Sequence, residues 1–482
     1  MAAIDGCLLA GVAGRELSED LARWVDEGLA GVVLFARNFE DPDGCRHLID
    51  ALRARREDLV IAIDEEGGDV TRLHAATGSP WPGNLALGAV GEPATTRLIA
   101  ASIGRELFEA GVTLDFAPVA DLVGPETDSV IGTRSFGGDP CQVAAHTAAF
   151  VRGLQGTGVA ACAKHFPGHG AARADSHRGL PTVALSSESL RRDHLLPFAA
   201  AVAAGVAAVM TAHVRYVSLD PDAPATLSKP VLSLLREELG FEGVVVSDAL
   251  EMVAISRSRG MVAGGLAALD AGVDLLCLGS EVAGQREARD AMLTALRHQA
   301  LAERLAEKAD RVHRLAVLSP PAGGAAGREE GDREAAPTLA LEVARRALVV
   351  DVCSELPASK PLVLLDARPR GASGIGRTPA RLLAALSAAG LPVRVSDASP
   401  GEMSDLGPKE LPLLVVQDAH LDPAQQARLR ALLAAHPEAL VVGVGTDHDA
   451  GLAPGRYLGT RGGAPPNLAA LAEVLAVGLS GG

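Results

Sequence analysis

Aromatic side chains are scarce, with two Trp, two Tyr and nine Phe in 482 residues, so any stacking platform for a ring-shaped ligand has few rings to draw on. Positive charge is short as well. Forty-four Lys and Arg against sixty Asp and Glu leave a formal net charge of −16. A nucleic-acid partner would want a basic stripe, so none is expected, and the acidity reads as a solvated surface. No CxxC pair joins the six cysteines (Cys7, Cys45, Cys141, Cys162, Cys277 and Cys353), which argues against both a disulfide frame and a zinc site. They read as small buried apolar residues in a reducing compartment. No apolar run is long enough to span a bilayer. The short apolar stretch within Met1–Gly14 has no Lys or Arg ahead of it, and Asp5 stands where a signal peptide wants positive charge. A cytoplasmic protein without a membrane partner is therefore expected.

What is present is a regular alternation. Short apolar runs at Gly6–Val12, Gly31–Phe35, Leu59–Ile63, Leu114–Val119, Val159–Ala163, Ala208–Ala212, Gly243–Ser247 and Val273–Leu278 are separated by amphipathic segments such as Arg97–Ala110 and Gln142–Gln155. Continuous apolar strands with helices between them indicate a parallel sheet covered on both faces. Eight such repeats in roughly 300 residues fit a closed (β/α)8 TIM-like barrel. A Gly-, Pro- and charge-rich stretch, 319–338, reads as a linker between a catalytic barrel domain, 1–318, and a smaller C-terminal α/β domain, 339–482. In the latter, strands at Pro361–Asp366, Leu391–Val395, Leu411–Val416 and Ala439–Val444 alternate with helices at Thr378–Ala389, Pro423–Ala435 and Asn467–Val477. That pattern predicts an open, doubly wound sandwich. No Gly-x-Gly-x-x-Gly follows its first strand, so it is not read as a nucleotide site.

Barrel enzymes carry their chemistry on the loops that follow the strands, so polar residues there are the candidates. Asp64-Glu65-Glu66-Gly67-Gly68-Asp69-Val70-Thr71-Arg72 follows the third run. It could hold a metal, be a solvated loop, or grip vicinal hydroxyls. Asp64 is placed best for the last, and Glu65 and Glu66 are expected to be solvated. Lys164 to His177 follows the fifth run and gathers three histidines, a lysine and an aspartate in one Gly-containing loop. Pro167 and Gly168 forbid a helix that would put His165 and His169 on one face, so no metal is expected. An Asp175/His177 pair could act as an acid/base dyad, or sit in a surface loop by chance. Asp248, closing an apolar strand, is either a mouth carboxylate or a helix cap. Arg134 is a ligand for substrate or a structural ion pair, and His213 is expected to be an oriented group behind the site and not a catalyst.

Several of these stretches, taken together and in order, resemble glycoside hydrolase family 3: Asp64-Glu65-Glu66-Gly67-Gly68, Phe116-Ala117-Pro118-Val119, Gly132-Thr133-Arg134-Ser135-Phe136-Gly137, Lys164-His165-Phe166-Pro167-Gly168-His169-Gly170 and Ser247-Asp248-Ala249-Leu250. The Asp175-Ser176-His177 triplet resembles its NagZ-type β-N-acetylglucosaminidase branch. The resemblance implies a retaining, exo-acting β-N-acetylhexosaminidase that needs no cofactor and releases terminal N-acetylglucosamine from cell-wall fragments. Asp248 matches the nucleophile, His177 the acid/base and Asp175 its partner. Asp64, Arg72, Arg134, Lys164 and His165 match sugar-binding positions. Glycines 168 and 170 are expected to let the loop swing His177 over the sugar.

The chain departs from the family pattern where Asp-Gln-Glu-Gly-Gly-Arg becomes Asp64-Glu65-Glu66-Gly67-Gly68-Asp69, and where Gly-His-Gly-Asp-Thr becomes Gly168-His169-Gly170-Ala171-Ala172. Two other readings stand beside hydrolysis: phosphorolysis, and a sugar-binding barrel that does not cleave.

Overall fold

The computed structural model describes residues 3–125, 130–172, 180–296, 301–318, 335–353, 360–368, 378–397, 406–407 and 409–480. Among the described residues, ten short strands form in the N-terminal part. They are Leu8–Gly11 (β1), Gly31–Leu34 (β2), Val60–Ile63 (β3), Leu114–Asp115 (β4), Ala160–Phe166 (β5), Thr182–Val183 (β6), Ala208–Thr211 (β7), Arg215–Tyr216 (β8), Val244–Ser247 (β9) and Leu276–Cys277 (β10). Eight of them make one parallel sheet in the order β10-β1-β2-β3-β4-β5-β7-β9. A parallel bridge between Val246 and Leu275 then brings β9 back to the approach of β10, closing the ring. The strands β6 and β8 pair separately on the loops leaving β5 and β7.

Period-two alternation sorts the side chains. Leu9, Val60, Ala62, Cys162, Met210 and Val246 pack together inside the ring. Leu8, Ile61, Ile63 and Val245 face the helices outside. The helix Leu301–Leu318 adds Val312, Leu315 and Ala316 to the interior cluster, so the barrel is a packed core and not a channel. Each fully buried Leu or Ile contributes about 1.5–3 kcal/mol.

The outer helices start and stop on local chemistry. Helix Pro140–Gln155 is opened by Asp139, whose carboxylate accepts the Gln142 N–H, with Pro140 at the first turn where its missing donor costs nothing. Helix Pro93–Ala110 ends at Gly111 (φ 90°), a left-handed cap that bonds back to Leu107. The two helices pack side by side so closely that a Cβ on Gly153 would lie 2.2 Å from the Arg97 carbonyl oxygen.

The described residues of the C-terminal part form six strands: Val349–Val352 (β11), Leu362–Asp366 (β12), Val393–Asp397 (β13), Leu411–Val416 (β14), Leu440–Gly443 (β15) and Arg456–Gly459 (β16). Their order is β11-β16-β15-β14-β12-β13, parallel except for β11 against β16. Helices Thr378–Ala388 and Pro465–Ser480 cover one face through Leu382, Leu386, Leu468 and Leu471. Helix Pro423–Ala435 covers the other through Leu429 and Leu432. This is the doubly wound arrangement expected, with two further strands at one edge. Neither carries a continuous apolar run: β16 reads Arg-Tyr-Leu-Gly, and β11 is an edge strand with Val350 exposed. Residues 319–334, most of the expected linker, lie outside the described residues, and helix Ala336–Ala347 begins inside the remainder.

Candidate active site

The loop after β3 is folded by its own carboxylate. Glu65 is buried, and its Oε2 accepts the backbone N–H of Arg72 (2.7 Å) and Leu73 (3.0 Å). This turns the chain back so that Arg72 reaches Asp64, with its guanidinium 3.3 Å from Oδ2. The return needs Gly68 (φ 59°), where a Cβ would lie 2.5 Å from Gly83 Cα. Glu65 and Glu66 are both buried, so the expectation that they are solvated is wrong. Burial pushes the Glu65 carboxyl above its ordinary value, although its hydrogen bonds oppose this.

Lys164, at the end of β5, explains where Glu66 goes. Its side chain is 1% exposed, and its Nζ lies 2.8 Å from Asp64 Oδ1 and 2.6 Å from Glu66 Oε1. Arg134 grips Glu66 from the other side through Nε (2.9 Å) and a terminal nitrogen (2.7 Å). Arg72, Asp64, Lys164, Glu66 and Arg134 thus form one chain of alternating charge, with cations at both ends. Burial alone would raise both carboxyls. The Lys164 and Arg72 charges outweigh it at Asp64, holding that group well below the usual range. At Glu66, Arg134 and Lys164 bring the value down to about 2. The same anions hold the buried Lys164 ammonium in its charged form against desolvation.

His165 is held by a residue that the motifs did not single out. Asp121 is buried, and its Oδ2 lies 2.7 Å from His165 Nδ1 while Oδ1 accepts the backbone N–H of His165 (3.2 Å) and His169 (2.6 Å). Burial would raise Asp121, but His165 outweighs it and keeps the carboxylate ionised. An ionised carboxylate only accepts, so His165 presents its proton at Nδ1. The peptides Lys164–His165 and Phe166–Pro167 are cis.

Asp248 follows β9, half-buried, with Oδ1 accepting the N–H of Ala249 at 2.7 Å. His213 lies beside it, buried, its Nε2 3.1 Å from the Ala249 carbonyl oxygen and its Nδ1 2.8 Å from Thr226 Oγ1. Burial pushes His213 below its ordinary value, so it remains a neutral neighbour, with Asp248 opposing the shift. Because the eight strands are parallel and the ring is closed, the C-terminal ends of β3, β5 and β9, with Asp64, Lys164 and Asp248, lie around one mouth. Glu251 is not at that mouth's service: its carboxylate accepts from Ser280 N (2.7 Å), Ser280 Oγ (2.9 Å) and Glu281 N (2.6 Å).

Asp175 and His177 lie outside the described residues. Gly170, expected to supply freedom, is instead buried, and a Cβ there would lie 1.6 Å from the Leu122 carbonyl oxygen. It allows close packing.

Sequence reasoning named Asp64, Arg72, Arg134, Lys164, His165 and Asp248, and the structure gathers them. Glu66 and Asp121 were missed. Glu66 belongs to the motif, but only the fold reveals that Lys164 and Arg134 reach it. Asp121 follows Phe116-Ala117-Pro118-Val119 by two residues, and that strand-end position was the available signal.

A parallel (β/α)8 barrel whose mouth gathers carboxylates among fixed cations is built to act on a polar substrate, which the fold alone does not name. The model of the glycosyl hydrolase family 3 N-terminal domain matches residues 8–315, and the chain belongs to glycoside hydrolase family 3. A β-hexosaminidase of Alkalilimnicola ehrlichii is 40% identical over 281 residues, covering 57% of this chain and 80% of that protein. One from Pseudomonas aeruginosa is 39% identical over 278 residues, covering 56% and 82%. The solved structure of a family 3 β-N-acetylglucosaminidase from Paenibacillus sp. matches 100% of this chain and 96% of its own, with TM-score 0.87 and 32% identity.

Proposed function

We propose that the chain is a retaining, exo-acting β-N-acetylhexosaminidase that removes terminal β-linked N-acetylglucosamine, with peptidoglycan fragments recycled in the cytoplasm as its substrates. The observation that carries this reading is the convergence of Asp64, Arg72, Arg134, Lys164 and His165 on the mouth that also holds Asp248. These groups suit the hydroxyls of one non-reducing sugar. The relatives named β-hexosaminidase, at about 40% identity, support a hexosamine substrate, and the structure of a family 3 β-N-acetylglucosaminidase, at 32% identity, supports the N-acetyl preference. On this reading residues 1–318 are the catalytic domain, joined by a linker to the C-terminal α/β domain.

In the first step the Asp248 carboxylate attacks the anomeric carbon while the bond to the aglycone oxygen breaks, and His177 gives that oxygen its proton. The product is a glycosyl ester on Asp248. In the second step His177 takes a proton from water, whose oxygen attacks the same carbon and returns Asp248 to a carboxylate. Two inversions give net retention. Asp175 orients His177 and favours the imidazolium that the first step needs. An unperturbed imidazole pKa of about 6.5 suits both directions of transfer near neutral pH.

A chromogenic N-acetylglucosaminide should be hydrolysed far faster than the matching glucoside. Free N-acetylglucosamine should form at the same rate with or without phosphate. A phosphorylated sugar product would establish phosphorolysis, and binding without turnover would establish a silent barrel.

A further inference from the structure

Asp69 stands where the family pattern has arginine, and the structure gives it a partner that the barrel does not own. Its Oδ1 accepts the backbone N–H of Gly463 (2.8 Å), on the loop that follows β16 in the C-terminal sheet. Its Oδ2 accepts the hydroxyl of Thr133 (2.9 Å), the residue before Arg134. The carboxylate therefore ties together the β3 loop, the loop carrying Arg134, and the C-terminal domain. Its burial raises its pKa, while Arg381 and Arg368, both from the C-terminal domain, act in the opposite direction.

Two more contacts run the same way. Arg381 donates to the Ala75 carbonyl oxygen (3.3 Å), and its guanidinium lies so close to Gly78 that a Cβ there would be 2.8 Å from Cζ. A Cβ on Gly132 would lie 3.7 Å from Asp418 Oδ2, at the end of β14. Two strand-end loops of the C-terminal sheet and the first turn of helix Thr378–Ala388 thus meet the two barrel loops on which Arg72 and Arg134 ride.

The loop that supplies Gly463 is itself held. Thr460 donates to the Gly462 carbonyl oxygen (2.8 Å), Asn467 donates to the Thr460 carbonyl oxygen (2.7 Å), and Arg461 pairs with Asp447. A fixed donor is what a positioning contact requires.

We propose that Asp69 is a positioning residue through which the C-terminal domain sets the placement of Arg72 and Arg134, making that domain part of the sugar-binding apparatus. This rests on the proposed function only in taking those two arginines as sugar ligands. A residue in this role acts on substrate affinity more than on the chemical step, because Arg72 and Arg134 hold the sugar in the ground state and the transition state alike.

The test uses the full-length chain with Asp69→Ala, Asp69→Asn and Thr133→Val. On a chromogenic N-acetylglucosaminide, Asp69→Ala should raise KM roughly tenfold, the scale of a lost charge-assisted hydrogen bond, with kcat changed much less. Asp69→Asn keeps one carbonyl oxygen for Gly463 and should recover most of the loss. Thr133→Val should raise KM in the same direction without adding fully to Asp69→Ala, because the two share one contact. Hydrogen exchange at 64–78 and 130–136 should quicken in Asp69→Ala and be restored in Asp69→Asn. If KM and exchange at both segments match the wild type in a folded Asp69→Ala protein, the proposal is overturned. A fall in thermal stability with both readouts unmoved would overturn it equally, leaving Asp69 as a fastener between domains. If the wild-type chain does not cleave the substrate, the proposed function fails, and the exchange measurement still decides the role of Asp69.

Discussion

Asp64 and Asp366 close apolar parallel strands in the same chain, β3 in the barrel and β12 in the C-terminal sheet. Asp366 pairs with Arg368, two residues further along its own turn, at 2.9 Å. Asp64 pairs with Lys164, one hundred residues away, and shares that cation with Glu66. The first contact is local in sequence. The second joins the loop after β3 to the end of β5 and holds its groups charged where burial would neutralise them. A carboxylate at a strand end is therefore only a candidate. Convergence of charges from distant parts of the chain is what separates the barrel mouth from the other sheet.

That contrast can be broken at Asp248 first. Asp248→Asn should lower turnover by a thousandfold or more, on the order expected for removing a nucleophile, with the unfolding midpoint near that of the wild type. Near-normal activity would place Asp248 with Asp366, among strand-end aspartates that do no chemistry. His177→Ala comes next. It should slow cleavage of substrates with poor leaving groups by roughly 10²–10⁴-fold and activated aryl glycosides much less, with azide rescuing the second step. Asp175→Ala should give a milder version. Equal losses on both substrate types without an azide effect would reduce His177 to a binding residue.

Lys164→Met sharpens the comparison through stability. It leaves two buried carboxylates facing each other and should cost about 3–5 kcal/mol in denaturant unfolding. The pH dependence carries a sign. Glu66 falls from 4.5 to about 2 in the folded protein, so the wild type loses this contribution as pH drops from 4.5 towards 2. Arg134 still holds Glu66 in the variant, so its depression should shrink and the variant should lose less stability than the wild type over that range. A variant as stable as the wild type would mean the charge chain is not a unit. The smallest effect belongs to Asp366→Asn. Asp366 is partly exposed although Arg368 is buried, and Asn keeps an acceptor for that guanidinium, so the change should cost about 1 kcal/mol.

The architecture was legible because both sheets are built from continuous apolar runs with helices between them, which is how a doubly covered parallel sheet must read. Strands β11 and β16 were not, since an edge strand and an Arg-Tyr-Leu-Gly segment lack that run. The site was legible where motif and strand end coincide, as at Asp64, Lys164 and Asp248. Glu66 was misjudged because adjacent acids in a Gly-rich loop read as solvated, and their burial depends on Lys164 and Arg134 arriving from elsewhere. Asp121 escaped because it acts through His165 and the backbone around it. Gly170 was read as a hinge when its lack of a side chain serves close packing against Leu122. Asp69 registered as a departure from the family, but its partner Gly463 is almost four hundred residues away, beyond the reach of any local pattern.

Covalent labelling tests the central claim most directly. The chain would be treated with a fluorinated glycosyl trap that forms the ester quickly and hydrolyses slowly, then digested and mapped by mass spectrometry. A single adduct on the peptide containing Asp248, absent from Asp248→Asn, is the result predicted. An adduct on the peptide carrying Asp64 to Arg72, or on any segment of the C-terminal sheet, would contradict the account.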